Sequence, residues 1–240
     1  MICPSLARRI QPRSPVMDDP IGAVIADERA RALAAFKKDA QTLRYWMQGA
    51  GWHMALRAME LGASYHKGYR KDGFTPEFHH QVQIALFVKC LPGLLKPEET
   101  VATAFTHDLC EDFDLDPDDL RSQFGQAVGD ATWAMTKTWR GIKRSEDELF
   151  ALMADNPIAS IAKPADRDHN MRTMRGVFSS EKRLSYSDFA ENRILPLIKH
   201  AKRRFTQQEP AYEILKYLIT QRISYERELG SLQHQPGICA

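Results

Sequence analysis

A short stretch near the middle of the chain places a histidine beside several acidic residues. The segment 103–112 reads TAFTHDLCED, and its apolar spacing predicts a helix. Its ionisable side chains belong to His107, Asp108, Glu111 and Asp112. At 100° per residue, these four side chains fall within an arc of about 140° on one helix. Three adjacent carboxylates repel one another unless a cation lies among them, so the pattern predicts a divalent metal site.

Further ligands must come from other segments, because a histidine and an aspartate cannot complete a metal shell. Upstream, His79 and His80 precede an apolar run over 82–88. Downstream, the segment 163–172 reads KPADRDHNMR and offers Asp166 together with other polar residues. The sequence therefore predicts a site that joins segments from distant parts of the chain.

Three stretches resemble, in chain order, signature motifs of the HD-domain hydrolases of RelA/SpoT type. They are YRKDGFTPEFHH over 69–80, HDLCED over 107–112 and ADRDHNMRTM over 165–174. The corresponding family forms are RKSGxPYxxHP, HDxxED and ADRLHNMRTL, and the resemblance spans residues 53–205. It implies an all-helical fold, a single metal ion that is usually Mn²⁺, and removal of pyrophosphate from the 3′ position of (p)ppGpp.

The resemblance also implies a role for individual residues. The metal ligands would be His80, His107, Asp108 and Asp166. Glu111 and Asp112 would be the catalytic acidic pair that handles water and protons. Substrate would be bound by Arg70, Lys71, Lys137, Asn170 and Thr173. General chemistry agrees, since a bound divalent ion lowers the pKa of water from 15.7 towards about 7 and phosphates require nearby cations.

The chain departs from the family pattern at several positions near these residues, among them Gln81, which replaces the usual proline after His80 at an expected helix start. Pro164 stands where leucine is usual, which predicts a kink or a helix start two residues before Asp166. Asp72 replaces a small serine, and its charge beside the expected phosphate site predicts an altered substrate preference. Asp168 also replaces leucine, and we expect a solvent-exposed residue there or a partner of a metal ligand.

The charge balance and cysteine content exclude several classes of function. With 33 basic and 31 acidic residues the net charge is +2, too small to hold nucleic acid or an anionic membrane non-specifically. No run approaches the roughly 20 apolar residues of a membrane span, so we expect a soluble cytoplasmic protein. The cysteines form no metal-binding or redox pair, and Cys90 and Cys110 are predicted to be buried apolar residues.

Helical periodicity extends over most of the chain and defines its expected organisation. The predicted helices cover 21–47, 53–66, 80–91, 98–112, 125–138, 146–154, 157–175, 186–204 and 210–229. Neither strand alternation nor a hairpin signal is present, so the predicted fold class is all-α, a compact multi-helix HD-domain fold in a single domain.

The expected domain boundaries follow from composition. Residues 1–20, rich in proline and arginine, are predicted to form a flexible arm, and 21–50 an additional N-terminal helix. Residues 51–230 would form the HD phosphohydrolase domain, and 231–240 a loose C-terminal tail. A chain of 240 residues has room for a hydrolase but not for a synthetase, so we expect a hydrolase-only protein.

Three alternative functions are also compatible with these residues. The same residues could release a single phosphate, for example the 2′-phosphate of NADPH, or could act on an adenosine-type alarmone. Outside catalysis, the chain could be an antitoxin-like partner that blocks a small alarmone synthetase. The expected partners are therefore a small-molecule nucleotide, a cognate alarmone synthetase or a second copy of the chain.

Overall fold

Capping side chains and prolines set the start of several helices in the computed structural model, which describes residues 20–233. The Asp116 carboxylate accepts a hydrogen bond from the Asp118 amide, directly before a helix that begins at Pro117. The Ser145 hydroxyl caps the Glu148 amide in the same way. The helix that follows Ser145 begins at Glu146, as predicted, whereas the helix that begins at Pro117 was not predicted from apolar periodicity.

Almost every element in the described residues is a helix. The α-helices are α1 (Pro20–Ala50), α2 (His53–Tyr65), α3 (His79–Val88), α4 (Pro97–Thr106), α5 (Leu109–Phe113), α6 (Pro117–Phe124), α7 (Gln126–Met135), α8 (Glu146–Ala154), α9 (Ala159–Thr173), α10 (Ser180–Phe189), α11 (Leu195–Arg204) and α12 (Glu209–Gln233). A π-helical turn over Ala190–Ile194 joins α10 to α11, and a 3₁₀ turn over Thr206–Gln208 precedes α12. The predicted all-α fold class is confirmed.

The structure corrects several predicted boundaries. The helix predicted over 98–112 is two helices, because the chain turns at His107 and Asp108 between α4 and α5. Helix α6 was not predicted. A two-residue hairpin was also missed, formed by β1 (Thr138–Trp139) and β2 (Ile142–Lys143), in which Thr138 lies opposite Lys143. Its strands are too short to show alternation.

The described residues include only part of the predicted terminal segments. The predicted arm lies outside the described residues apart from Pro20, where α1 begins. The predicted tail over 231–240 also lies outside them, except that α12 continues to Gln233.

Cys110 is buried as predicted, but Cys90 is exposed, because α3 ends at Val88 and the chain turns towards the surface there. No helix in the described part of the chain is long and apolar enough to cross a membrane.

Helix α9 is the central helix of the fold. It packs against α3, α4, α7, α8, α11 and α12. Its apolar residues Ile161, Ala162, Ala165 and Met171 are buried. A buried hydroxyl pair also anchors it to α12, since Ser160 and Tyr212 share a hydrogen bond of 2.7 Å. A polar residue on α9 therefore reaches the interior only where a partner compensates its burial.

Helices α2 and α4 approach each other closely at Gly62. A Cβ atom built at this position would lie 2.6 Å from the Phe105 carbonyl oxygen and 2.8 Å from a ring carbon of Phe78. Phe105 lies two residues before His107, at the end of α4. The absence of a side chain at residue 62 therefore sets the position of the helix end that carries the HD pair.

We expect Gly62→Ala to destabilise the protein by about 1–3 kcal/mol, because overpacking forces backbone atoms apart. Urea unfolding monitored by circular dichroism measures this difference in the free energy of unfolding. Gly49→Ala is the matched control, since Gly49 lies in α1 with no atom within 4 Å of an added Cβ. Equal stability of the two variants would show that α2 and α4 can accommodate a methyl group at residue 62 and would contradict this prediction.

Candidate active site

Three helices bring a histidine, a second histidine and an aspartate together in the interior. His80 is the second residue of α3, His107 directly follows α4, and Asp166 lies in the middle of α9. All three are buried, and one ligand atom from each lies within 4.8 Å of the others. These residues belong to three different sequence motifs, so the fold assembles a candidate metal centre from distant segments.

The ring of His107 is oriented for ligation. Its Nδ1 lies 3.0 Å from the Ala104 carbonyl oxygen, which can only accept, so Nδ1 carries the proton in the neutral ring. The buried Nε2 has no hydrogen-bond partner, although Asp108 Oδ2 lies 2.9 Å away and Asp166 Oδ1 3.9 Å away. A lone pair that faces two carboxylates fits a bound cation, and the donors suit Mn²⁺ or a similar divalent ion.

His80 also has one ring nitrogen directed at the centre. Its Nε2 lies 3.1 Å from Asp166 Oδ1, and its Nδ1 lies 2.8 Å from Nδ1 of His169. Two ring nitrogens at that distance share one proton. Burial and then the neighbouring His80 lower the pKa of His169 to about 2, so His169 is neutral and can accept this proton. His169 is a residue for which the sequence suggested no partner.

The Asp166 carboxylate is held by side chains from its own helix. Lys163 Nζ donates to Oδ2 at 2.9 Å, and Asn170 Nδ2 donates to Oδ1 at 2.6 Å. Burial would raise the pKa of Asp166, but Lys163, followed by the two centre histidines, holds it well below its usual range. The group is therefore ionised and oriented before any cation binds.

Pro164 lies inside α9. The sequence left a kink or a helix start open at this proline, and the helix start is excluded. The helix begins at Ala159, five residues earlier. Proline has no amide proton, so the bond that residue 164 would give to the Ser160 carbonyl oxygen is missing. Ser160 instead contacts Tyr212 through its hydroxyl. The contacts of the neighbouring helices thus hold α9 together around the proline.

The corner between α4 and α5 carries a surplus of negative charge. Burial alone would lower the pKa of His107, but Asp108 and Asp166 raise it to about 9. Burial likewise opposes the ionisation of Asp108, and the charge of His107 lowers its pKa overall. Without a metal, a proton on His107 therefore compensates the two carboxylates. The corner also overturns the predicted single helical arc, since His107 and Asp108 lie in a turn.

The two members of the predicted catalytic acidic pair lie in different surroundings. Asp112 lines a cavity of about 320 Å³ next to His80, Asp108 and Asp166. Burial, together with the charges of Asp108 and Glu111, raises the pKa of Asp112 to about 6. Both residues are exposed, but Glu111 accepts a hydrogen bond of 2.8 Å from the Lys137 amide and does not line this cavity. Of the two carboxylates, Asp112 is thus the one that lies beside the centre.

The predicted substrate residues divide into two groups. Arg70 and Asn170 line both the central cavity and an adjoining cavity of about 400 Å³, and they are joined by a hydrogen bond of 3.0 Å. Lys71 and Thr173 line the second cavity. Lys137 lies apart, because its Nζ pairs with Glu146 at 3.1 Å in a different surface depression.

The acidic substitutions have structural partners. Asp72 Oδ1 accepts hydrogen bonds from the amides of Phe74 (2.9 Å) and Thr75 (2.8 Å), so its charge stabilises a turn in the loop that carries Arg70. Asp168 is buried and pairs with Arg222 of α12 at 3.2 Å. The expectation of an exposed Asp168 is wrong, because the α12 side of α9 is covered.

Several residues of the site were not singled out from the sequence. They are His66, Lys163, Arg167, Phe178 and Tyr186. Lys163 had a readable signal, since it lies three residues before Asp166 on one helix and can pair with it. Phe178 and Tyr186 had none, because their approach to the Arg70 loop depends on the turn between α9 and α10.

Comparison with known proteins gives a consistent picture. No family model matches the chain. A GTP pyrophosphokinase of Streptomyces antibioticus is 30% identical over 125 residues, which are 50% of this chain and 14% of that protein. A guanosine-3′,5′-bis(diphosphate) 3′-pyrophosphohydrolase of Aquifex aeolicus is 29% identical over 132 residues, 53% of this chain and 18% of the relative. The chain thus spans less than a fifth of these curated relatives.

A solved structure shares the fold. It is described as a metazoan orthologue of SpoT that hydrolyses ppGpp, and it aligns with a TM-score of 0.57 at 18% sequence identity. The alignment covers 74% of this chain and 97% of the other. The chain therefore has the all-helical fold of that structure. The resemblance to RelA/SpoT-type enzymes, predicted from three motifs, is confirmed by these relatives.

We expect metal binding to displace a proton from His107. Below its pKa of about 9 this ring is protonated, and each unit of rising pH increases the ligating form about tenfold. Affinity for Mn²⁺ should therefore rise by about tenfold per unit between roughly pH 6.5 and 8.5. Calorimetry in buffers of different ionisation enthalpy should record release of about one proton per ion. An affinity independent of pH would show that the metal-free protein does not hold this proton on His107.

We expect His169→Leu to weaken Mn²⁺ binding by about 10- to 100-fold, because the Nδ1 proton of His80 loses its acceptor. His169→Gln should recover part of this loss, since its amide oxygen can accept the same proton. Electron paramagnetic resonance of free Mn²⁺ measures both affinities. Equal affinities of the leucine variant and the wild type would mean that His169 does not orient His80.

Proposed function

We propose that this protein is a metal-dependent hydrolase that removes the 3′-pyrophosphate from (p)ppGpp-like alarmone nucleotides, giving GDP or GTP and pyrophosphate. The observation that carries the proposal is the continuity of the two cavities. Arg70 and Asn170 line both of them, and Asn170 hydrogen-bonds Asp166 of the candidate metal centre. The relatives named as guanosine-3′,5′-bis(diphosphate) 3′-pyrophosphohydrolases support the same activity.

The larger cavity suits a nucleoside. Its volume is about 400 Å³, within the range of small-molecule pockets. Phe178 and Tyr186 lie on one side with their ring centroids 5.3 Å apart, and Lys71 Nζ lies 5.1 Å from the centre of the Phe178 ring. Aromatic faces can stack on a base, and the adjacent cations can receive phosphates. The sugar would then lie between this cavity and the central one.

The centre supplies the groups that phosphate ester hydrolysis requires. His80, His107, Asp108 and Asp166 would hold one divalent ion, for which we propose Mn²⁺. Such an ion polarises a phosphoryl oxygen and lowers the pKa of water. With a pKa of about 6, Asp112 is ionised at neutral pH and can accept a proton from the attacking water. Arg70 would hold the diphosphate as it departs.

Glu111 and Lys137 would act from the rim of the site. The hydrogen bond from the Lys137 amide to Glu111 Oε2 fixes the carboxylate one helical turn from His107. In this arrangement Glu111 contributes negative charge that raises the pKa of Asp112. We therefore propose that Glu111 tunes Asp112, and that Lys137 takes part through its backbone while its side chain pairs with Glu146.

We place the reaction in the cytoplasm, with a small-molecule nucleotide as the substrate. A cognate alarmone synthetase and a second copy of this chain are candidate partners. Each alternative makes a separate prediction: a phosphatase on NADPH would release inorganic phosphate, and an antitoxin that acts by sequestration would protect cells after Asp108→Ala. The close approach of His80, His107 and Asp166 favours catalysis over sequestration.

Product analysis tests the proposed reaction. Purified protein loaded with Mn²⁺ is incubated with ppGpp, pppGpp, an adenosine 3′-diphosphate and NADPH, and the products are separated by anion-exchange chromatography. We expect GDP or GTP with pyrophosphate from the guanosine substrates. Release of inorganic phosphate from NADPH would establish the alternative instead. Unchanged ppGpp, with folded and metal-loaded protein, would refute the proposal.

We expect Asp112→Asn to reduce kcat/KM for ppGpp by about 10²- to 10⁴-fold while Mn²⁺ affinity stays within about threefold, because the variant loses a proton acceptor rather than a ligand. In the wild type, kcat/KM should fall as the pH drops through about 6, where Asp112 takes up a proton. This acid limb should vanish in the variant. Asp119→Asn, an exposed acid on α6, is the matched control.

A further inference from the structure

Arg167 is a cation beside the candidate metal centre that lacks a polar partner. It follows Asp166 on α9 and lines the central cavity of about 320 Å³. Its Nε is buried without a hydrogen-bond acceptor, and no ion pair joins its guanidinium to another residue in the described range 24–231. Its neighbour Asp166 attracts it electrostatically, but the carboxylate oxygens of Asp166 already bond Lys163 and Asn170.

Two aromatic rings hold the guanidinium in place. Its central carbon lies 4.7 Å from the centre of the Tyr186 ring and 4.6 Å from the centre of the Phe189 ring. Ring faces attract a cation and fix its orientation, but they accept none of its five N–H donors in strong hydrogen bonds. The fold thus holds a rigid, oriented cation at the wall of the cavity, and its N–H donors have no hydrogen-bond acceptors.

The other cations of this cavity each have a polar partner. Lys163 donates to Asp166, and Arg70 donates to Asn170 through one of its five N–H groups, which leaves Arg70 further donors for a ligand. Among the described cations that line the cavity, Arg167 is the one whose side chain has no hydrogen-bond partner. A partly buried cation whose Nε has no acceptor is unfavourable by itself, and an anion that enters the cavity compensates it. The planar guanidinium matches the oxygens of a phosphate group.

We propose that Arg167 binds the outer phosphate of a diphosphate ester and makes this site prefer diphosphates to monophosphates. The inference rests on the proposed function, in which the inner phosphate lies at the metal centre and the outer phosphate leaves with it. A monophosphate fills the inner position alone and leaves Arg167 without a partner. A diphosphate satisfies both, which accounts for a cation on this wall of the cavity.

Equilibrium binding of inorganic pyrophosphate and inorganic phosphate tests this role. Protein is loaded with Mn²⁺, freed of excess metal by gel filtration and titrated calorimetrically with each anion. In Arg167→Met we expect the Kd for pyrophosphate to rise by about 10- to 100-fold, the range for a lost charge-assisted hydrogen bond, with the Kd for phosphate changed less than threefold. Arg172→Met, an exposed arginine on the same helix, should change neither.

The outcomes separate this inference from the proposed function. Arg167→Met with wild-type pyrophosphate affinity, or with equal losses for both anions, would overturn the inference. Failure of wild-type protein to bind pyrophosphate would do the same. If Arg167→Met does not fold, Arg167→Lys, which keeps the charge but not the planar fork, must still weaken pyrophosphate more than phosphate. Selective loss in a protein that leaves ppGpp intact would refute the hydrolase proposal alone.

Discussion

The buried carboxylate of Asp166 is the constraint on which the site depends. An ionised group in the interior is tolerated only when charges and hydrogen bonds compensate it. Here Lys163 and Asn170 provide hydrogen bonds from the same helix, and His80 and His107 approach from two others. Helix α9 must therefore lie in the centre of the fold, with α3 and α4 against it. The helix packing that forms the core is therefore also the packing that assembles the site.

From this carboxylate a connected polar network leads outwards. Asn170 joins Asp166 to Arg70, and Arg70 reaches the cavity where Phe178 and Tyr186 lie. A substrate that spans both cavities would thus touch the candidate metal centre and the nucleoside wall through groups already in contact. Such preorganisation reduces the rearrangement required when charge develops during hydrolysis. Because His80 is braced by a neutral imidazole at 2.8 Å, the ligand set gains orientation without added negative charge.

Much of the fold and of the centre could be read from the sequence, because both depend on local patterns. Helical periodicity predicted an all-α chain, and the HD motif identified His107 and Asp108 as candidate metal ligands. The errors have a common physical cause. The turn at His107, the exposed Cys90 and the buried Asp168 are set by where neighbouring helices pack, which periodicity does not encode. Short elements such as the 138–143 hairpin give too few residues for a periodic signal.

The sequence by itself determined which chemical groups are present and in which order, and it indicated that most of them lie on helices. It did not determine which of them meet. Glu111 and Asp112 are neighbours in sequence, yet one bonds a backbone amide at the rim and the other lines the centre. The pairing of His80 with His169 and the unpaired donors of Arg167 also arise only from the packing of α3 and α10 against α9. Burial and distance decide pKa and partnership, and both are properties of the tertiary structure.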